Sequence, residues 1–418
     1  MNMKKMIAVA AVAASAMAAN ADTVTVTQTV NGVEWRLMAD TSAKTVSLGP
    51  NPSDATVSPH SAALAVPTSV SGAVIAPETF SIDGDTYTVT QIGNRAFRNC
   101  SKITSLLFQG NIGQVWNYGV ASASSLNSLC FKGPVTVAEG GSQSYATLRA
   151  RASTSFEALP ALKFVLVGPN VKLYTGWTGG FQFYDKPEGT TVIIPSRSGN
   201  NAWDEVTEDT IKIANVNLVR YGPDYDFDMT MGDTAMTFRP KNVNGLTNVL
   251  SWASTIKSAF SMDTKVSVTN TIEVSGDVVI TDSMLANVTM EAPLRFLSFT
   301  PTTANALTNV LAWAPSFMTR FGLDTRISVT NTIDLTGVTI TDAMVSGVTF
   351  DRLMFTAKTQ AQLNAILGAF PATTPISIDP TGLTENMVIP ETYNNVHVKT
   401  VPGVTIKRTT TGFMIIVK

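Results

Sequence analysis

Residues 246–275 read LTNVLSWASTIKSAFSMDTKVSVTNTIEVS and residues 307–336 read LTNVLAWAPSFMTRFGLDTRISVTNTIDLT, so sixteen of thirty positions are identical at an offset of 61. Many of the differences are Lys/Arg, Val/Ile or Glu/Asp exchanges. A chain that repeats itself in this way stacks its units, because one unit cannot bury its own apolar face. The match continues from Ile280-Thr281-Asp282-Ser283-Met284 to Ile340-Thr341-Asp342-Ala343-Met344. A shortened third copy begins at Met354 and carries Leu363-Asn364-Ala365-Ile366-Leu367.

Each copy can be read locally. Leu246, Val249, Leu250, Ala253, Ile256 and Phe260 recur at helical spacing and predict one apolar helix face. Val266, Val268, Ile272 and Val274 alternate with polar residues, as a strand with one buried face does. Thr300 reads as a helix cap with Pro301 at the first helical position, and Pro315 as the point where that helix ends or kinks. Asp282 and Asp342 read as N-caps of short helical turns rather than as paired catalytic carboxylates. Trp252 and Trp313 read as core rather than groove lining, and Gly412 to Lys418 as a last strand closing the stack. The order strand, helix, strand, short helix, strand predicts a right-handed α/β stack, with separate small α/β modules as the competing arrangement.

The start of the chain has the form of an export signal. Lys4 and Lys5 precede an uncharged, Ala-rich run from Ile7 to Ala19, and Ala19-Asn20-Ala21 has small residues where a signal peptidase reads. A leader over residues 1–21, cleaved before Asp22, is expected, and the run is shorter than the ~20 apolar residues of a bilayer span. Residues 22–75 are rich in Thr, Val and Ser, which suits short strands joined by turns. Ile82 to Val89 reads as a β-hairpin turning at Asp83-Gly84, and Asp83 with Asp85 as turn residues rather than calcium ligands.

The segment after the hairpin runs Ile92-Gly93-Asn94-Arg95-Ala96-Phe97-Arg98-Asn99-Cys100-Ser101-Lys102-Ile103-Thr104-Ser105-Leu106-Leu107-Phe108. It resembles a unit of the BspA-type leucine-rich repeat family, whose pattern is I-G-x-x-A-F-x-x-C-x-x-L-x-x-[VI]-x-[IL]. A degenerate unit ending Leu126 to Phe131 is displaced by 23 residues, and a third, Phe156 to Val167, aligns with the first at an offset of 59. The likeness covers residues 76–205. It implies an irregular leucine-rich-repeat solenoid, and an extracellular or surface protein that binds other proteins. The inward core is then Phe97, Cys100, Ile103, Leu106, Phe108, Phe156, Leu159 and Leu162. In this register Cys100 points inward and Cys130, aligned with Leu107, outward, so both are expected to be free thiols. Residues 76–220 form the expected repeat domain and Tyr221 to Asp228 a turn-rich linker, with C-terminal repeats of about 236–296, 297–352 and 353–418 in residues 229–418. The expected fold class is therefore an α/β repeat protein: a small β segment, a solenoid, then a second α/β array.

The search for chemistry finds little. With 29 basic and 31 acidic residues the chain has no electrostatic footprint for nucleic acid. Two histidines, His60 and His397, and two cysteines make a His- or Cys-built metal site or triad improbable. No G-x-S-x-G, G-x-x-x-x-G-K-[ST] or G-x-G-x-x-G motif occurs, so no cofactor is expected. The expectation is an exported, non-enzymatic recognition or adhesion protein, secreted or held at a bacterial cell surface, that contacts another protein. A carbohydrate-binding module using Trp116, Trp177 or Trp203 as stacking platforms is one alternative. A self-associating envelope component with open edge strands is the other.

Overall fold

The computed structural model describes residues 13–14, 23–50, 60–133, 146–150, 153–173, 181–183, 188–196, 202–268, 272–274, 278–291, 296–330 and 333–417. The expected leader, except for Ala13–Ala14, lies outside the described residues, and so do its cleavage point and Trp177. The chain folds as two compact units. The first comprises residues 1–225, 229–236 and 255–262; the second comprises residues 226–228, 237–254 and 263–418.

The first unit opens with the alternating Thr/Val run as a strand, Thr23–Val30, paired antiparallel with Val33–Asp40, which pairs in turn with Thr45–Leu48. Thr45–Leu48 then lies parallel to Asp85–Ile92. From there the same sheet continues in parallel through Gln114–Val115, Ala146–Ala150 and Val171–Leu173. Thr79–Ile82 joins Asp85–Ile92 as the expected hairpin, with Asp83 at φ 52° and Gly84 at φ 88° in its turn. Both central residues at positive φ match the right-handed strand twist, which is why Asp-Gly is favoured there.

A second sheet orders Asn217–Tyr221, Thr191–Pro195, Phe164–Val167, Ser128–Phe131, Ile103–Phe108 and Gly72–Ala76, all parallel. Its pairing reproduces the offsets read from the sequence: Leu106 faces Leu129, and Leu129 faces Val165. Val74, Leu106, Leu129, Val165 and Val192 thus form one buried column. Inside the unit an unbroken aromatic series runs from Trp35 through Phe97, Phe108, Phe131, Phe156, Phe183 and Phe181 to Trp203, with centroids 4.9 to 6.3 Å apart. Each such ring pair adds roughly 0.5–1.5 kcal/mol beyond the area it buries.

The opposite side of this sheet is covered as well. Leu107, Cys130, Leu166 and Ile193 share a ladder and are all at most 1% exposed. Phe260 packs 6.3 Å from Phe164, and the Ser105 hydroxyl donates to the Ala259 carbonyl at 2.7 Å. Cys130 does sit in register with Leu107, but the expected outward position is buried, on a face whose neighbouring row, Ser105 and Phe164, is met by Ala259 and Phe260.

The long repeats begin with the helix Val243–Phe260, whose residues from Thr255 onward count with the first unit, and continue in the second unit. Ala304–Phe321 is an 18-residue helix at the corresponding position, and Gln360–Ala369 is the shortened third. A six-stranded sheet orders Ile272–Val274, Phe296–Pro301, Asp324–Val329, Thr349–Thr356, Ile376–Asp379 and Val396–Val398, parallel throughout. Trp252 and Trp313 are 7% and 4% exposed and belong to the core, as expected. Trp313 meets Phe299 edge-on at 4.9 Å, and Trp252 meets Phe227 at 5.6 Å.

The fold class differs from the expected α/β repeat protein with a leucine-rich-repeat solenoid: the chain is mostly β-sheet. The described residues hold twenty-eight strands in parallel and mixed sheets but only six α-helices, and three of those are four residues long. In the first unit the reason is visible between Gly93 and Cys100. Arg95 and Asn99 have φ of 63° and 61°, which no α-helix accommodates. The N–H groups of Arg95, Phe97 and Asn99 donate to carbonyls of the next coil, at Asn117, Gly119 and Ala121, rather than four residues back. Backbone that bonds between coils cannot also bond within a helix.

Finer expectations shift too. The helix cap of the second copy is Thr303, whose side chain accepts from Ala306 N, because Pro301 still belongs to the parallel strand opposite Val274. Thr281 and Thr341, not Asp282 and Asp342, cap the four-residue helices. Pro315 does not end the helix, which runs on to Phe321; Gly347 faces its ring, and a Cβ there would collide with it. Val266 and Ile272 lie in two separate strands. The last strand, Gly412–Val417, does not extend the parallel stack. It is the middle strand of an antiparallel sheet with Met387–Pro390 and Val404–Thr409.

Candidate functional site

The eight expected core residues of the short repeats, Phe97, Cys100, Ile103, Leu106, Phe108, Phe156, Leu159 and Leu162, are all fully buried in one cluster. The tryptophans separate. Trp203 is 0% exposed and ends the aromatic series, its indole N–H donating to the Val171 carbonyl at 2.8 Å, so it offers no stacking platform. Trp116 is half-buried, with its Nε1 donating to Gln91 Oε1 at 3.0 Å. Asp282 and Asp342 are exposed first residues of separate short helices. His397 is exposed on its strand opposite Ser377. Among the described residues no three His, Cys, Asp or Glu side chains gather as a metal-binding group, and no helix is long and apolar enough to cross a membrane.

Trp116 belongs to an arrangement that the sequence reading missed. The coil turns stack in register: Arg95 N donates to Asn117 O, which sets Arg95 beside Tyr118. Arg98 lies over the Tyr118 ring at 4.5 Å from its centroid, and Arg95 approaches the same ring at 5.8 Å. All three side chains are half-buried. Each cation–π contact is worth about 0.5–1 kcal/mol at such a site. Nε and Nη1 of Arg95 and Nε of Arg98 are shielded from solvent without an acceptor. The result is a stiff, cationic, aromatic patch spanning two adjacent turns. The signal was present in the sequence, because the 23-residue offset that aligns Leu106 with Leu129 also aligns Arg95 with Tyr118.

The second unit has a cleft of about 790 Å³ lined by Asp282, Thr289, Ser316, Thr319, Arg320 and Phe321, among others. Arg320 is turned toward the end of a short helix, where Nε donates to Leu285 O at 2.7 Å and Nη2 to Ala286 O at 2.6 Å. Its charge therefore satisfies helix-terminal carbonyls.

The cysteines are buried free thiols. Burial pushes the Cys100 thiol up to about 12 and raises Cys130 as well. Thiolate is the reactive form, so both thiols should resist a thiol reagent in the native chain and react once urea unfolds it. A pH dependence follows. In the unfolded chain the thiols ionise near 9.0, whereas in the folded chain Cys100 keeps its proton to about 12. Stability is then independent of this thiol below 9.0 and falls as pH rises from 9.0 toward 12, by up to roughly 1.4 kcal/mol per pH unit. Urea midpoints at about pH 8 and pH 10 should separate more for the wild-type chain than for the C100A/C130A variant. An equal separation would show that the thiols do not titrate differently on folding.

No protein-family model and no curated protein matches the chain. Among solved structures, the crystal structure of the pneumococcal vaccine antigen PcpA is similar at 10% sequence identity and a TM-score of 0.22, over 90% of this chain and 99% of that one. Likeness at that level carries no argument about fold or role.

Proposed function

We propose that this chain is an exported, non-enzymatic recognition protein that binds another protein at the outside of the cell. The observation that supports the reading is the Arg95–Tyr118–Arg98 cluster with Trp116 in the same turn. Arg, Tyr and Trp are the residues that dominate binding energy at protein interfaces, because they combine a large contact area with a polar tip. Here the backbones of Arg95 and Trp116 are bonded to neighbouring turns, which lowers the conformational freedom to be lost on binding. The BspA-type resemblance supports the same reading, and the Lys4-Lys5 and Ala-rich leader supports export. The carbohydrate alternative is weaker, since Trp203 is buried.

The test is a pull-down of the chain against extracellular-matrix and surface proteins and, separately, insoluble polysaccharides. Protein retention is expected, and R98A and Y118A should each weaken it by about tenfold or more, with thermal unfolding little changed. Retention on polysaccharide alone, or protein retention indifferent to both substitutions, would overturn the assignment.

A further inference from the structure

The terminal antiparallel sheet of the second unit treats its two edges differently. Along Met387–Pro390 the edge is closed by a side chain: Gln360 Nε2 donates to Val388 O at 3.1 Å, and Val388 N donates to Gln360 Oε1 at 2.7 Å. An amide side chain thus takes the place of a neighbouring strand. Helix Gln360–Ala369 packs beside that strand, and Met387, Ile389 and Ile415 are buried. At the other edge, Val404–Thr409 has no further strand beyond it among the described residues.

The apolar face continues past the helix to this open edge. Register places Val404 opposite Val417, Ile406 opposite Ile415 and Arg408 opposite Phe413, so these residues share one face. Ile406, Phe413 and Val417 are 42%, 41% and 38% exposed, three of the few large hydrophobic side chains so exposed among the described residues. An open ladder flanked by exposed apolar side chains is a template for strand addition. Charge on the strand selects the occupant. Lys407 and Arg408 are exposed and make no ion pair among the described residues. In an antiparallel pairing with a second copy that sets Ile406 against Ile406, four such cations would crowd one short ribbon, with no acidic side chain to offset them.

We propose that Val404–Thr409 is a docking edge that accepts an extended acidic strand from a partner protein by β-augmentation. Main-chain bonds supply the attachment, Ile406 and Phe413 take the partner's apolar side chains, and Lys407, on the opposite face, takes its carboxylates, with Arg408 adding positive charge beside the apolar row. The surface is independent of the Arg95–Tyr118 patch, so either assignment can fail alone.

The experiment uses the full chain and fluorescent peptides of about eight residues: Val alternating with Glu, Val alternating with Lys, and the acidic peptide with a central proline. Only the unbroken acidic peptide should bind. Its affinity should fall by about tenfold or more in the K407E/R408E variant, and amide exchange at 404–409 should slow on binding. Equal binding of acidic and basic peptides, no binding, or no protection at 404–409 would overturn the proposal. So would a free chain that sediments as a dimer with those amides already protected, which would make a second copy the occupant.

Discussion

Phe131→Ala should lower the stability of the first unit by about 3–5 kcal/mol. The ring is 1% exposed and stacks on Phe108 at 5.3 Å, with Phe156 and Phe181 edge-on at 6.0 and 6.2 Å. Truncation removes the middle of the aromatic series. The neighbours cannot close the gap, because their strands are pinned in register: Phe131 faces Phe108 on one side and Val167 on the other. The cost is therefore lost burial plus an unfilled cavity. Urea unfolding followed by the fluorescence of buried Trp35 and Trp203 reads it as a lower midpoint. F131L, which keeps most of the volume, should lose less than half as much. A loss under about 1 kcal/mol for F131A would mean that the rings are not tightly packed.

Gly168→Ala is the second large effect, and its cause is different. Gly168 N donates to Phe131 O at 2.7 Å, and a Cβ on Gly168 would run into the Lys132 carbonyl while standing 3.1 Å from the Met231 sulfur. The carbonyl is main chain of an adjacent coil and cannot swing aside, so the two coils must separate locally. We expect a loss of about 1–3 kcal/mol, read as a lower melting temperature. The same substitution at Gly368, on the Gln360–Ala369 helix with nothing within 4 Å, should leave stability unchanged or raise it by up to about 1 kcal/mol. If both substitutions had the same sign, close backbone approach would not be the reason for glycine at 168.

How much of this was legible in the sequence depended on whether a residue's environment was set by its own repeat. The pairing of Leu106 with Leu129 and Val165 followed from the 23- and 59-residue offsets, because a parallel ladder preserves whatever register the repeats share. The burial of Phe97, Phe156 and Leu159 followed for the same reason. The secondary structure of the connecting turns did not. Phe97 and Cys100 have helix-like spacing, yet their segment bonds sideways to the next coil, a choice made by tertiary contacts that local periodicity cannot report. Cys130 was placed correctly along its strand and wrongly in environment, since its face of the sheet is packed by segments far away in sequence, Ala259 and Phe260 among them. The caps were missed by short distances, because Pro301 fits a strand end as well as a helix start.

The rungs of the first unit are joined by uneven lengths of chain. Ser128–Phe131 and Phe164–Val167 are immediate neighbours, as are Ile103–Phe108 and Ser128–Phe131, though residues 132–163 separate the first pair and only residues 109–127 the second. Since loop closure costs only about 0.6 kcal/mol per doubling of length, the ladder is indifferent to what is inserted between its rungs. Descendants of this gene can therefore gain or lose whole loops by insertion and deletion while the aromatic interior stays unaltered, so diversification of the outer surface and inheritance of the scaffold can proceed on separate clocks.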